Sequence, residues 1–340
     1  MMIECSKQKT TTCFDRSTSP VNQQSNFDSS SVASTPMVVI FMATFNGQNY
    51  LVEQLDSILS QTHKNWKVLV SDDGSTDDTI AILKQYQERL GENKFILYAG
   101  PQRGYAANFM SLVCKKNILG DYYAYSDQDD IWDPNKLEMA IKWFNTTSPS
   151  RPALYCSRTK LINDCGVMTG YSILFKKKLS FLNALVQNVG GGNTMVFNKA
   201  TLNLLRESGE YFNIFAHDWW TYLMVTGAGG VVHYDPCPTI CYRQHSVNIL
   251  GSNVGLKASL SRLLWILQGR FKAWNDKNVA ALFSINYVLS EKNRKILQAF
   301  ILARNARFIS RVIKLKRLGI YRQTFLGNIG LLLSIVFKKI

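Results

Sequence analysis

An α/β fold with a doubly wound, mostly parallel sheet is predicted for this chain by three observations. Short apolar runs rich in β-branched residues alternate with helical periodicity over about 110 residues from position 37. Each run ends on a polar cluster at its carboxyl end. At 340 residues, 46% hydrophobic and 19% charged, the chain can bury the sizeable core that one large domain or two ordinary ones require.

MVVIFMA (37–43) reads as a buried strand that stops at the loop TFNGQNY. Leu51, Leu55, Ile58 and Leu59 then recur at helical spacing. WKVLVS (66–71) is a second strand. In the polar turn DDGSTDDT, Asp77 or Asp78 can cap a helix running through Ile80, Leu83 and Tyr86. KFILYA (94–99) is a third strand, followed by a helix over residues 105–116. DYYAYS (121–126) is a fourth and runs straight into DQDDIWDPNK, where Asp133 and Pro134 have the form of an N-cap and first helical residue. Ligands of open α/β sheets bind outside the carboxyl ends of the strands. The loops at 44–46, 72–77, 102–103 and 127–130 are therefore expected to line one site.

The second half is less regular. PALYCSRTKLI (152–162) reads as a strand, NTMVFN (193–198) as another after three glycines, and HDWWTYLMV (217–225) as a helix. GGVVHYD (229–235) and TICYRQ (239–244) look like a closing pair, and from residue 256 the pattern is helical and amphipathic to the end. No internal repeat is visible. The expected organisation is a Ser/Thr-rich tail over 1–36, disordered because it buries too little to offset its ordering entropy. A domain over 37–250 follows, with halves at 37–135 and 136–250, and then a basic amphipathic helical region over 251–340.

The charge is uneven. Twelve of the 39 Lys and Arg, and none of the 24 Asp and Glu, fall within residues 292–340, so the remainder carries 27 against 24. The formal net charge of +15 thus belongs mostly to that end, and the carboxylate-lined main domain argues against nucleic acid. Seven scattered cysteines without a C-x-x-C pair suit reduced thiols in a cytosolic enzyme. No secretory signal opens the chain, and no run reaches the roughly eighteen apolar residues of a membrane span. The apolar stretch FLGNIGLLLSIVF (325–337), bracketed by basic residues, is either a terminal helix packed on the domain or a monotopic segment on an anionic leaflet. The expected location is the cytoplasm, free or peripheral on the inner face of the cell membrane.

The acidic cluster carries the chemistry. Asp127, Asp129, Asp130 and Asp133 lie within seven residues of an otherwise basic chain. A solvated turn with a helix cap is one reading, and Asp133 fits it. Against that, crowded like charges raise one another's pKa unless a cation neutralises them. Mg2+ or Mn2+, which take carboxylate and phosphate oxygens, would do so.

TFNG, SDDGSTDDT, GPQRGYAANF and YSDQDDIW, in that order, resemble the nucleotide-sugar half of family 2 glycosyltransferases, which have the GT-A fold. GGGNTMVFN, HDWW and YRQHSVN resemble the bacterial rhamnosyltransferase branch of that family, and the likeness spans about residues 37–250. It implies a metal-dependent inverting transferase with a dTDP- or UDP-sugar donor and a lipid-linked glycan acceptor, dTDP-L-rhamnose being the first candidate donor. It also implies roles. Thr44 and Asn46 line the nucleotide, and Asp73 beside Asp72 accepts from the pyrimidine N3–H. Arg103 faces the diphosphate, Asp127 the ribose, and Asp129 the metal, with His245 closing on the diphosphate or metal. Asp130 is an extra ligand or orienting group, and Arg243 offers positive charge to the same region. Asp218 is the base that takes the acceptor's proton. Trp219 and Trp220 are either a sugar platform or core residues, and His217 could tune Asp218.

Other readings stay open at this stage: a UDP-hexose or UDP-N-acetylhexosamine donor, a sugar nucleotidyltransferase, or a non-catalytic adaptor using the basic end. His233, Cys237, Cys241 and His245 recur every four residues as in a zinc site, but Pro236 and Pro238 forbid a regular helix there. The glycines at 190–192 lack the Lys and helix of a phosphate loop and read instead as close backbone approach near the acceptor.

Overall fold

Strand β1 (Val38–Thr44) explains the layering. Val38, Ile40 and Met42 pack into one apolar cluster and Val39 and Phe41 into another, so both faces of the sheet are covered. The computed structural model describes residues 35–209, 213–245 and 268–340. The tail expected to be disordered and the start of the helical region at 256 lie outside them.

The main sheet contains β2 (Trp66–Asp72), β3 (Phe95–Ala99), β4 (Tyr122–Ser126), β6 (Ala153–Ser157), β9 (Val196–Asn198) and β10 (Val231–Asp235), in the order β10-β6-β9-β4-β1-β2-β3. Only β9 runs antiparallel to its neighbours, and the other pairings are parallel. Helices α1 (Leu51–Leu59), α2 (Thr79–Leu90) and α4 (Lys136–Phe144) cover one face. The other is covered by α3 (Tyr105–Val113), α5 (Phe181–Ala184), α6 (Lys199–Arg206) and α7 (His217–Gly227). The connection order reverses between β1 and β4, so their carboxyl ends form the switch-point crevice in which such sheets bind ligands.

A second sheet holds β5 (Ile131–Trp132), β7 (Lys160–Ile162), β8 (Met168–Tyr171) and β11 (Ile240–Arg243), in the order β5-β11-β7-β8. Two expectations change here. Residues 152–162 form not one strand but β6 and β7, which belong to different sheets. The segments at 229–235 and 239–244 do not pair with each other, because β10 runs parallel to β6 and β11 parallel to β7. The two chain segments cross from sheet to sheet side by side, and Pro236 and Pro238, which cannot donate to a ladder, occupy the crossing. Asp133 is not the cap of α4 either. That helix starts at Lys136 after Asn135, while Asp133 forms an ion pair with Lys160 at 3.0 Å. The residue at the N-cap of α2 is Asp78, whose side chain makes no capping bond; Asp77, one place earlier, accepts from the Thr79 N–H on its Oδ1 at 3.0 Å.

Among the described residues four C-terminal α-helices follow: α8 (Arg270–Ser284), α9 (Glu291–Asn305), α10 (Phe308–Leu318) and α11 (Phe325–Val336). Leu297, Phe300, Leu315, Leu331 and Ile335 share the cluster that contains Val39 and Phe41. Polar ties add direction: Asn293 Nδ2 donates to the Thr226 and Gly227 carbonyls, and Arg322 Nε to the Val186 carbonyl. The described residues from 36 onward thus gather into one compact unit, and no helix among them is long and apolar enough to cross a membrane.

Arg311 ties α10 to the end of α11. Buried, it donates through Nε to the Ile335 carbonyl (2.8 Å), through Nη2 to that of Val336 (3.2 Å) and through Nη1 to that of Ala306 (3.1 Å). Arg311→Ala strands those carbonyls and should lower the unfolding free energy by about 2–3 kcal/mol in urea titration. A loss under about 0.5 kcal/mol, the size of an ordinary surface substitution, would contradict this role.

Candidate active site

Register places the loops. β1 pairs with β2 as Thr44 with Asp72, and with β4 as Met42 with Ser126, so the three following loops open at one edge. Asp72 organises two of them from below. Its carboxylate accepts from Thr44 Oγ1 (2.8 Å), Ser75 Oγ (2.6 Å) and the Gly74 and Ser75 N–H groups. Asn46, in the left-handed region at φ 49, accepts from the Thr76 N–H at 2.8 Å. Asp73 reaches the next loop, accepting from the Gln102 N–H (2.6 Å) and Gly104 N–H (2.8 Å), and Arg103 stands exposed between those two positions.

The acidic loop is fastened to the first loop by a residue that no sequence pattern marks. Gln128 makes a two-point amide pairing with Phe45, its Oε1 accepting from the Phe45 N–H (2.8 Å) and its Nε2 donating to the Phe45 carbonyl (3.0 Å). Gly47 lies so close that a Cβ there would sit 2.4 Å from Gln128 Oε1. The carboxylates flanking Gln128 differ. Asp127 is half-buried and pushed up to about 8, by desolvation first, then by the charge of Asp129 and that of Asp218. Asp129 Oδ2 lies 2.8 Å from His245 Nε2. Asp130 is fully buried and orienting: it accepts from Asn193 Nδ2 (2.6 Å) and the Arg243 N–H (3.1 Å). Burial and its two acidic neighbours hold its carboxyl far above the usual range.

Arg243 is placed beneath this loop. With 1% of its surface exposed, it donates through Nε to the Asp129 carbonyl (3.0 Å), through Nη1 to that of Asp164 (2.9 Å) and through Nη2 to Glu53 (2.5 Å). It also stacks over Tyr50, 4.6 Å from the ring centre, and the His245 ring stacks with the same tyrosine at 5.2 Å between centres. The positive charge expected to meet a substrate instead positions the backbone that carries Asp129.

Across the crevice, α7 presents Asp218 in its first turn. Burial pushes this carboxyl up, opposed by hydrogen bonds from the Trp219 and Gly192 N–H groups and the Asn188 side chain. Gly192 must be glycine for this approach: a Cβ would meet His217 Nε2 at 2.4 Å. Close backbone approach is therefore what the glycine run provides at this point. Asp218 and Asp127 lie within electrostatic reach of each other and of Tyr105, whose hydroxyl is pushed up chiefly by burial and donates to the Phe215 carbonyl. A path of contacts joins the two sides: Asp130 to Asn193, and Asn193 along the chain to Gly192 and Asp218. Buried Lys136 secures it, donating to the Asn193 carbonyl (3.0 Å), with burial pulling its ammonium down to about 7.

The aromatic expectation resolves toward the core. Trp219 is 4% exposed with its indole N–H on the Ala184 carbonyl, and Trp220 is fully buried with its own on Ser208 Oγ. Neither offers a sugar a face. His217 is buried on Phe109, ring centres 3.9 Å apart, and neither ring nitrogen has a hydrogen-bond partner. Burial pulls it down to about 3, so it stays neutral beside Asp218. The zinc alternative finds no support in the positions: His233 stacks on Trp143 in the main sheet, while Cys241 belongs to the second sheet. Among the described residues no group of three or more His, Cys, Asp or Glu is arranged to hold a metal.

The Asp127 shift has a consequence for stability. Between the ordinary carboxylate pKa near 4 and about 8, the native state holds a proton that the unfolded state has released, so this group's contribution falls as pH rises through that window. Asp127→Asn should flatten that segment of a urea-unfolding series taken from pH 4 to 8. An unchanged slope would remove the proton from Asp127.

The chain matches the family described as Glycosyl transferase family 2 over residues 39–200. It is 30% identical over 275 residues to the dTDP-rhamnosyl transferase RfbG of Shigella flexneri, spanning 77% of this chain and 91% of that protein. Over 171 residues it is 29% identical to the UDP-Glc:alpha-D-GlcNAc-diphosphoundecaprenol beta-1,3-glucosyltransferase WfgD of Escherichia coli, 49% of this chain and 62% of the relative. S. aureus TarS 1–349, solved in complex with UDP-GlcNAc, shares the fold at a TM-score of 0.50 and 15% identity, with 83% of this chain and 80% of that one covered. With the switch-point crevice and its carboxylates in place, these likenesses identify the chain as a member of glycosyltransferase family 2, a GT-A enzyme that draws its sugar from a nucleotide-sugar donor.

Proposed function

We propose that this enzyme transfers L-rhamnose from dTDP-L-rhamnose, with inversion, to a lipid-linked glycan during assembly of a bacterial surface polysaccharide at the inner face of the cell membrane. The observation that carries the reading is the opposition of two acidic groups across one crevice, Asp127 and Asp129 on the sheet side and Asp218 on α7. The donor identity is supported by the long alignment with a protein named as a dTDP-rhamnosyl transferase. A UDP-hexose donor is the second reading, favoured by the likeness to the glucosyltransferase WfgD.

In this reading Thr44 and Asn46 line the nucleotide. Asp73 keeps acceptor capacity for a pyrimidine N3–H, because each of its oxygens takes only one loop N–H. Arg103 faces the diphosphate and Asp127 the ribose. Asp218 accepts the proton of the acceptor hydroxyl as its oxygen attacks the anomeric carbon opposite the leaving nucleotide, and a carboxyl raised by burial is the better base for that step.

Asp129 and His245 fit a divalent cation, Mn2+ or Mg2+. Their nearest atoms are 2.8 Å apart, close to the roughly 3 Å that separates adjacent ligands of an octahedral ion with bonds near 2.1 Å. Such ions commonly take one or two protein ligands and fill the remainder with phosphate and water. When bound, the cation would stabilise the negative charge gathering on the leaving diphosphate.

A donor panel of dTDP-rhamnose, UDP-glucose, UDP-galactose and UDP-N-acetylglucosamine, scored for nucleotide release with Mn2+ or Mg2+, should show dTDP-rhamnose turned over fastest. A UDP-sugar leading the panel would replace the donor. Asp218→Asn should bind donor as the parent does and lose transfer by about 10²–10⁴-fold. Retained transfer would move the base elsewhere. Asp129→Ala should lose the metal dependence of donor binding, and a variant still sensitive to the metal would exclude it as a ligand.

A further inference from the structure

The last two helices each leave large apolar side chains uncovered. In α11, Leu331, Ser334 and Ile335 turn into the core, while Phe325, Leu326, Ile329 and Leu332 are exposed. Positions 325, 329 and 332 fall on one side at helical spacing, so this helix is apolar on both its buried and its open face. Helix α10, packed beside it, exposes Phe308, Ile309 and Ile313. With Arg307, Lys314 and Arg317 these line an open groove of about 680 Å³.

The charge that this end of the chain itself carries has one sign. Residues 292–340 contain twelve Lys or Arg and no Asp or Glu. Arg304 and Arg311 are buried and bound to carbonyls within the fold, whereas Arg307, Lys314, Lys316, Arg317 and Lys338 are exposed. Exposed apolar area of this kind marks a docking surface. Large apolar side chains flanked by cations, with no carboxylate among them, match an anionic lipid surface: the cations meet headgroup phosphates while the apolar side chains enter the acyl boundary. A polynucleotide would use the cations and leave Phe325, Ile329 and Leu332 in water.

We propose that α10 and α11 form a monotopic docking surface for an anionic bilayer. The inference deepens the proposed work at the membrane face and rests on that reading for its purpose, while its observations are independent of donor and acceptor.

The test is co-sedimentation of the full chain with phosphatidylcholine vesicles, pure or containing about 30% phosphatidylglycerol. Binding to the anionic vesicles is expected to exceed binding to the neutral ones at least ten-fold and to weaken with added salt. Lys314→Gln with Arg317→Gln should weaken it roughly twenty-five-fold, about five-fold per cation. Ile309→Ser with Ile329→Ser, both at exposed positions, should weaken it at least ten-fold. Both pairs should keep the parent's melting temperature and nucleotide release from donor in solution, which separates failure of this surface from failure of the active-site reading. Equal binding to neutral vesicles, or binding insensitive to both pairs, overturns the proposal. So does light scattering that shows a dimer dissociated by the Ser pair, or a polynucleotide that binds through the cations with no contribution from the Ser positions.

Discussion

Three carboxylates crowded at the carboxyl end of β4 are the constraint around which the rest of the site is arranged. Desolvation first, and repulsion second, push Asp127 and Asp130 toward the neutral form, and the loop would spread apart if nothing held it. Arg243 grips its backbone, Asn193 and the Arg243 N–H satisfy Asp130, Gln128 fastens it to Phe45, and His245 meets Asp129. Of the three, Asp127 and Asp129 keep partial exposure and Asp130 has none. The same crowding that costs stability makes a cation welcome there, which links the fold's energetics to its chemistry.

The second sheet now has a purpose. Its strand β11 delivers Arg243 and leads to His245, so the less regular half of the chain builds the support of the acidic loop. The 190–194 segment does similar work between the two sides. Asn193 bonds Asp130 while Gly192, one residue earlier, bonds Asp218, so the sheet-side carboxylates and Asp218 are separated by one short, buried span of backbone. Lys136 closes that span from below. The distance between donor and acceptor sides is set by packed polar contacts in place of a flexible linker.

Much of this was legible in the sequence where the determinants are local. Strand-end polar clusters marked the four loops, and β-branched runs marked β1 to β4, because burial on both faces imposes continuous apolar strands. The second half was harder because its pairings are not local. One apolar run at 152–162 serves two sheets, and the two short segments after it pair with that run instead of with each other. Asp133 had a capping sequence, yet Lys160, distant in the chain, claims it. Arg243 near a cluster of acids suggested a phosphate contact, while its full set of backbone carbonyl partners became visible only in three dimensions. Gln128, Asn193 and Lys136 carried no signal, since an amide or a lysine in a loop is ordinarily solvated. The apolar C-terminal segment forms a helix with one face packed on the domain and the other open, a division its uniformly apolar sequence does not mark.

The most direct measurement of the central claim is a crystal of the enzyme soaked with dTDP and Mn2+, with anomalous data collected for manganese. The account predicts one strong peak beside Asp129 and His245, with diphosphate density over the loop at 127–130 and the thymine ring near Asp73. A manganese peak or a nucleotide settled away from the β1–β4 crevice would contradict it.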